Sequence, residues 1–436
     1  MNEALQAKMT KILIVGSGGR EHAIAWAIRN TSTAPVEIFC APGNAGIGQI
    51  AHVLNVPVDD HSGLASLVET ENIDLTFVGP EAPLASGIVD FFASTGLRVV
   101  GPKASAARLE GSKIFAKDFM ARHGIPTAAY RVAESPAKAI DYLRSGEFGS
   151  AEAPVVIKAD GLAAGKGVVV AENRSEAEKA IEDLMVHHVA GKEAAGRVVI
   201  EEALIGTEAS LLLFADGRDY VVMPAARDHK RIGENDTGPN TGGMGTITDA
   251  SVLQRSIEER VVREIVEPTL AGARREGFAF RGILFLGLML TEDGPKLLEY
   301  NVRFGDPETQ AILVRLQTDL VSIFDSIYNE TLGGLQVGWS EGSSACVVAA
   351  NKGYPGKYET GGIIEGLDEV DQNSVQVFHA GTSRDGSGRF TATGGRVLGV
   401  TAAAANLSTA LEYCYKSLEK IHWPGMQYRK DIGRSG

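Results

Sequence analysis

The sequence predicts a multidomain α/β protein, and three observations carry that expectation. The chain has 436 residues, more than a single hydrophobic core serves, so two to four domains are expected. In the N-terminal region, short apolar runs alternate with helical spacing, the pattern of a parallel sheet. Beyond it, longer strand-like runs are separated by glycine-rich turns, and no fixed-period repeat links them.

The first strand is Lys11-Ile12-Leu13-Ile14-Val15, closed by Gly16, with helical spacing from Glu21 to Ile28. Strand-like runs recur at Val36 to Phe39, Leu75 to Val78 and Val99-Val100, with a helix over Gly63 to Glu71 between them. This N-terminal α/β domain is expected over 9–108. Helices are expected over Lys113 to His123 and Ala137 to Leu143. Pro154 to Lys158 and Val168 to Ala171 flank a glycine-rich turn and read as a hairpin. With a helix over Ser175 to Met185 and a strand over Arg197 to Glu201, they make a small inserted unit, 129–199. It interrupts a central domain of 109–128 plus 200–332. A C-terminal mixed α/β domain, 333–436, follows Leu332-Gly333-Gly334. Its strands are Ser344 to Ala349, Val375 to His379 and Arg396 to Thr401, and its helix runs from Leu407 to Lys420.

Composition narrows the function. Net charge is −13, which argues against broad nucleic-acid or anionic-membrane binding, because both need a basic surface. Cys40, Cys346 and Cys414 lie far apart without metal-ligand spacing, so ordinary reduced thiols are expected. No run approaches the ~20 apolar residues of a membrane span. Met1 to Lys8 lacks the apolar core of a secretory signal and reads as a frayed extension. A cytoplasmic protein, monomeric or weakly dimeric, is expected.

Three turns follow predicted strands: Gly16-Ser17-Gly18-Gly19-Arg20-Glu21-His22, Pro42-Gly43-Asn44-Ala45-Gly46 and Gly79-Pro80-Glu81-Ala82-Pro83-Leu84. Loops at the carboxyl ends of parallel strands line the ligand crevice in open α/β sheets. A glycine-rich helix start suits a phosphate. A dinucleotide fingerprint would need glycine at the position of Glu21, so a lone phosphate fits better, with Arg20 beside it.

Lys158-Ala159-Asp160-Gly161-Leu162-Ala163-Ala164-Gly165-Lys166-Gly167 is not a P-loop. Asp160 stands where glycine is needed, Gly167 stands where Ser or Thr is needed, and the segment leads into a strand. A hairpin folding over nucleotide phosphates explains its lysines and glycines better. In Leu297-Leu298-Glu299-Tyr300-Asn301-Val302-Arg303, strand alternation puts Glu299, Asn301 and Arg303 on one face. Glu299 and Asn301 offer the hard oxygens that Mg²⁺ takes alongside substrate phosphates. Arg303 suits a transferring phosphoryl group or a substrate carboxylate. Asp228-His229-Lys230-Arg231, with Asp236 to Gly245 after it, reads as a polar mobile loop. No hydrolase nucleophile signature is present, and neither His22 nor His229 is assigned a base role.

Together these segments resemble the ATP-grasp superfamily and, within it, the phosphoribosylamine–glycine ligase (glycinamide ribonucleotide synthetase) family. The resemblance runs from about Lys11 to Gly433. Its sharpest motif is Arg303-Phe304-Gly305-Asp306-Pro307-Glu308-Thr309-Gln310. The three N-terminal turns, Leu109-Glu110-Gly111-Ser112-Lys113, the 158–167 hairpin, Gly238 to Gly245 and Tyr428 to Gly433 support it.

The resemblance implies a pre-ATP-grasp N-terminal domain, an ATP-grasp core with an inserted lid, and a C-terminal domain. ATP would be contacted by Lys113, Lys158, Gly165, Lys166 and Gly167. Glu201, Glu202 and Leu204 would meet adenine, and Glu208 the ribose. Glu299 and Asn301 would hold Mg²⁺ or Mn²⁺. Substrate would lie against Gly18, Gly19, Arg20, Glu21, Gly43, Asn44, Ala45, Gly46, Pro80, Glu81, Asn240 and Thr241, with the ribose phosphate held through Gly18, Gly19 and Arg20. Arg303, Asp228 and Lys230 would serve catalysis, with Asp228 and Arg303 the candidates for gripping glycine.

The implied reaction activates glycine as glycyl phosphate and transfers it to the amine of phosphoribosylamine in purine synthesis. Two departures from the family pattern stand out. Ile283 to Leu290 lacks the acidic metal ligand common in ATP-grasp enzymes, and Thr246-Ile247 follows Gly245 in place of an Ala-Tyr-like pair. A bicarbonate-using ATP-grasp ligase, and a nucleotide-binding regulator without turnover, are the alternatives. They differ in bicarbonate-dependent ADP release and in the lack of any ADP release.

Overall fold

The apolar runs of the N-terminal region assemble as a wholly parallel five-stranded sheet. Its spatial order is His52–Val53, Val36–Pro42, Thr10–Gly16, Leu75–Val78, Val99–Val100. The computed structural model describes residues 9–162, 167–189, 191 and 196–434; the Met1 to Lys8 extension lies outside them. Ile12, Leu13, Ile14 and Val15 are fully buried, with side chains packed on both faces of the sheet. That is why the run is continuous rather than alternating. Chain order reverses at the Thr10–Gly16 strand, so the three predicted turns share the carboxyl edge at the switch point.

Three local features differ from expectation here. The first helix starts at Gly19, ahead of Glu21, because Glu21 is the third helical residue and accepts from the Gly18 N–H at 2.6 Å. The Gly79–Leu84 turn contains a short helix, Glu81–Ala85, entered from Pro80. An unforeseen helix, Ala104–Gly111, precedes the expected one at Lys113–Arg122.

The inserted unit has its own core, which includes Leu143, Val155, Ile157, Ile181 and Leu184. Its antiparallel sheet runs Tyr130–Ala133, Val198–Glu202, Val155–Ala159, Val168–Ala171. The hairpin pairs Val155 with Ala171 through Lys158 with Val168.

The largest sheet has ten strands and crosses from the central to the C-terminal region. Its main path is Gly294–Asn301, Arg281–Thr291, Thr207–Asp216, Ala226–Asp228, Gly245–Thr248, Ser343–Asn351, Arg396–Ala404, Gln376–His379. The junction is antiparallel, with Gly245 opposite Val347 and Thr248 opposite Ser344. Phe77 of the N-terminal sheet stacks on Phe324 at 4.4 Å and lies 5.8 Å from Phe304. The N-terminal and central cores are therefore continuous.

The expected mobile loop after Asp228 is a structured hairpin, Arg231–Gly233 with Thr237–Asn240. Asn235 and Asp236 turn it with φ of 54° and 52°. Arg429, 2% exposed, braces it by donating to Asp236 Oδ1 at 2.7 Å and to the Arg231 carbonyl at 3.1 Å. The terminal motif is thus a strut for this hairpin. Among the described residues no helix is long and apolar enough to cross a membrane. Cys40, Cys346 and Cys414 are free and buried.

Candidate active site

At the N-terminal switch point, the Glu21 side chain folds back under the glycine turns. A Cβ on Gly79 would lie 2.1 Å from Glu21 Oε1, and one on Gly16, at φ +135°, would lie 2.5 Å from Glu21 Cγ. The glycines at 16 and 79 therefore make room for Glu21. Arg20 is pinned by Glu21 Oε1 at 2.6 Å and donates to the Phe304 carbonyl at 3.1 Å. Gly43 sits at φ +67° and donates its N–H to the Gly16 carbonyl.

Asn44 is fully committed. It donates to the Ser17 and His379 carbonyls, both at 2.8 Å, and accepts from the Gly46 and Ile47 N–H groups. Its side chain organises the edge, so any ligand contact at 43–46 falls to the backbone. His22 is buried and accepts from the His379 N–H through Nδ1. Burial, with His379 nearby, drives its pKa down to about 3, so it stays neutral. His229 accepts from the Gly433 N–H, and burial lowers its pKa too. Both histidines are structural.

The strand Gly294–Asn301 carries Glu299 and Asn301, and Arg303 lies just beyond its end. Arg303 does not share the strand, but its guanidinium returns to it, with Nη2 3.4 Å from Asn301 Oδ1. The fork engages Glu110 Oε1 at 3.0 Å, Glu81 Oε2 at 3.2 Å and the Phe304 carbonyl at 3.1 Å. Burial raises the Glu110 pKa despite Arg303. Glu81 is lowered: burial opposes ionisation, but Arg303 and Arg20 outweigh it.

Burial also opposes ionisation of Glu299, and Lys230, Lys113, Lys158 and Arg303 together hold its pKa below the usual range. A half-buried carboxylate in the field of four cations is suited to a site that receives more negative charge and a metal ion. Among the described residues no group of three or more His, Cys, Asp or Glu is placed to hold a metal. The fit is thus to an ion held by few protein oxygens, as with Mg²⁺ that keeps water and phosphate ligands.

Asp228 has a raised pKa from burial, in spite of Lys230. Lys230 donates to Glu208 Oε2 at 2.7 Å, and its carbonyl accepts from the Thr241 N–H and hydroxyl. Asn240 ends the neighbouring hairpin strand. Glu308, from the 303–310 motif, is pushed up to about 7 by burial and by Asp228.

A cleft between helix Lys113–Arg122 and the strand Gly294–Asn301 is lined by Lys113, Lys117, Lys158, Glu201, Leu298 and Glu299. The Glu201 side chain points inward, 1% exposed, onto Lys158 and Lys117. Any adenine contact at 201 therefore comes from backbone. Glu202 accepts from the Ala129 N–H at 3.0 Å, and Leu204 follows the strand end. Gly167 closes the hairpin loop, its carbonyl accepting from the Ala159 N–H at 2.7 Å. Gly165 and Lys166 lie outside the described residues.

Sequence reasoning missed Lys117, Glu308, and Glu110 as the partner of Arg303. It also missed Arg396, whose guanidinium binds the Gly242 and Asp306 carbonyls. Lys117 and Glu308 gave weak signals: one helical turn from Lys113, and membership of the 303–310 motif.

This arrangement, an inserted antiparallel sheet whose Lys158 and Glu201 share a cleft with Glu299 of a long antiparallel sheet, defines an ATP-grasp ligase. Family models match the phosphoribosylglycinamide synthetase N domain over 10–110, ATP-grasp (A) domain over 111–309 and C domain over 344–435. The chain belongs to the phosphoribosylglycinamide synthetase family. It is 48% identical to the phosphoribosylamine–glycine ligase of Xanthomonas axonopodis pv. citri over 426 residues, 97% of each chain. It is 47% identical to that of Pseudomonas aeruginosa over 425 residues, again 97% of each. The crystal structure of phosphoribosylamine–glycine ligase from Thermotoga maritima superposes with a TM-score of 0.83 at 35% identity, covering 97% of this chain and 100% of that one. A Campylobacter jejuni biotin carboxylase structure, at 15% identity and TM-score 0.72 over 96% and 93% of the two chains, shares the fold alone.

Proposed function

We propose that the chain joins glycine to 5-phosphoribosylamine at the expense of ATP, giving glycinamide ribonucleotide, ADP and phosphate in de novo purine (IMP) synthesis. The observation that carries this reading is the cleft lined by Lys113, Lys158 and Glu299, in which Lys230, Lys113, Lys158 and Arg303 set a positive field that lowers the Glu299 pKa. In the first step a glycine carboxylate oxygen attacks the γ-phosphorus, the bond to the β-bridging oxygen breaks, and ADP leaves. In the second the amine of phosphoribosylamine attacks the glycyl carbonyl. Phosphate departs with the C–O bonding pair, and the nitrogen loses a proton. Such chemistry needs positioning and charge neutralisation more than a protein nucleophile.

Lys113, Lys158 and the hairpin ending at Gly167 take the nucleotide phosphates, with Glu202 and Leu204 at adenine and Glu208 at the ribose. Glu299 and Asn301 would hold Mg²⁺ or Mn²⁺, which bound there would neutralise phosphate charge. Arg303 and Asp228 face the glycine carboxylate and ammonium, and Lys230 fixes Glu208. Gly18, Gly19, Arg20, Gly43, Ala45, Gly46, Pro80, Asn240 and Thr241 line the phosphosugar side, with Glu21, Asn44 and Glu81 shaping it. The substrates are small molecules throughout.

The test is ADP release with Mg²⁺ and ATP, omitting glycine or freshly made phosphoribosylamine in turn. Release that needs both is expected. Release needing neither, or dependent on bicarbonate, overturns the reading.

A further inference from the structure

The nucleotide cleft contains a buried cation with no role in the reaction above. Lys117 is 2% exposed and stands one helical turn beyond Lys113. Its ammonium lies 2.9 Å from Glu201 Oε2 and donates to Thr127 Oγ1 at 2.7 Å. Thr127 in turn donates to the Leu297 carbonyl at 2.6 Å, and the Leu297 N–H donates to the Pro126 carbonyl at 2.8 Å. Glu201 also meets Lys158 at 3.0 Å, and Lys158 donates to the Leu298 carbonyl at 3.2 Å.

These contacts join five pieces of chain. Thr127 lies where the chain enters the lid, and Glu201 lies on the strand by which it returns. Leu297 and Leu298 immediately precede Glu299. Lys117 is therefore bonded to the way in, to the way out and, through Thr127, to the strand beneath the phosphates. Glu201 is ion-paired with two ammonium groups at once. An ammonium has three donor directions. For Lys158, Glu201 and the Leu298 carbonyl take two, leaving one for the cleft.

We infer that Lys117 is a positioning residue for nucleotide binding: by sharing the Glu201 carboxylate and tying both lid connections, it aims Lys158 at the ATP phosphates. Without Lys117, the whole Glu201 charge falls on Lys158. A buried carboxylate left with one partner draws that partner in. Lys158 then turns from the cleft towards Glu201, and the lid connections lose their common tie. The inference rests on the ATP-site reading above but not on the identity of the amine or carboxylate substrate.

The test is MgATP binding by titration calorimetry on the full chain, for Lys117→Met, Glu201→Gln and the double variant. Lys117→Met is expected to weaken MgATP binding at least tenfold. The double variant is expected to return to within about threefold of the parent, because removing the carboxylate releases Lys158. Rescue by a second core substitution is not what a purely structural lysine would give. Unchanged binding in Lys117→Met, or a double variant no tighter than Lys117→Met, overturns the inference. Should Lys117→Met fail to fold, Thr127→Val decides, since it cuts the tie and leaves every charge in place. Several-fold weaker MgATP binding is expected there, and unchanged binding overturns the proposal. The substrate-omission assay on the parent chain judges the ligation reaction separately.

Discussion

Arg303 and Glu110 form an ion pair at 3.0 Å across a separation of 193 positions, and the same carboxylate accepts the Val302 N–H at 2.8 Å. The helix Ala104–Gly111 thereby fixes the guanidinium at the end of the strand Gly294–Asn301. Both side chains are largely buried, at 17% and 7% exposure, so the pair is little screened by water.

Arg303→Ala is expected to lower kcat by about 100- to 1,000-fold, the usual loss when one preorganised donor is removed. The fold is expected to survive. Burial already raises the Glu110 pKa, so that carboxyl takes up a proton instead of remaining charged and alone. Arg303→Lys should fail nearly as badly, because an ammonium cannot fork to Glu81, Glu110 and the Phe304 carbonyl together. Steady-state kinetics with circular dichroism on both variants checks this; near-normal turnover in Arg303→Ala would remove the residue from the mechanism.

Glu299→Gln is expected to raise the Mg²⁺ concentration needed for half-maximal ADP release by about tenfold or more. Asn301→Ala should act in the same direction with a smaller effect, because a neutral amide oxygen contributes less than a carboxylate. Titrating the metal at fixed ATP measures both, and an unaltered Mg²⁺ requirement in Glu299→Gln would place the ion elsewhere.

That Glu299 and Asn301 lie on one strand was legible, because side chains two residues apart on a strand share a face. The parallel N-terminal sheet was legible because its buried strands are continuous apolar runs. The hairpin after Asp228 was not. Its strands are only three and four residues long, and its rigidity comes from Arg429, distant in sequence. Lys117 was hidden for a similar reason. A helical lysine is ordinarily solvated, and only the return strand of the lid brings Glu201 onto it. Arg396 binds the Gly242 carbonyl while the Gly242 N–H donates to the Tyr354 hydroxyl. Those contacts exist only because the large sheet carries the C-terminal region against the glycine turn.

Glu308 gives a pH prediction. Burial and Asp228 raise its pKa to about 7 from an ordinary 4.5. The folded chain thus binds a proton that the unfolded chain releases between pH 4.5 and 7, and stability falls as pH rises through that window. Glu308→Gln resembles the protonated form. It should be more stable than the parent at pH 8, with the gain lost towards pH 4.5. Thermal melting of both proteins across this range measures it, and a pH-independent difference would contradict the assignment.

Asn44 gives a prediction about the phosphosugar side. Its amide nitrogen donates to Ser17 and His379, and its oxygen accepts from Gly46 and Ile47. Asn44→Ala removes all four bonds, at a cost of about 2–4 kcal/mol in stability. Asn44→Asp is the sharper variant. It keeps both acceptor bonds but sets a carboxylate against two carbonyl oxygens, so the bridge from Ser17 to His379 through Asn44 is lost. The nucleotide-side residues Lys113, Lys158 and Glu299 make no bond to Asn44, so the two sides of the site should separate kinetically. Asn44→Asp is expected to raise KM for phosphoribosylamine about tenfold or more while KM for ATP stays within twofold. A parallel rise in both constants would mean that Asn44 supports the whole cleft and not this edge alone.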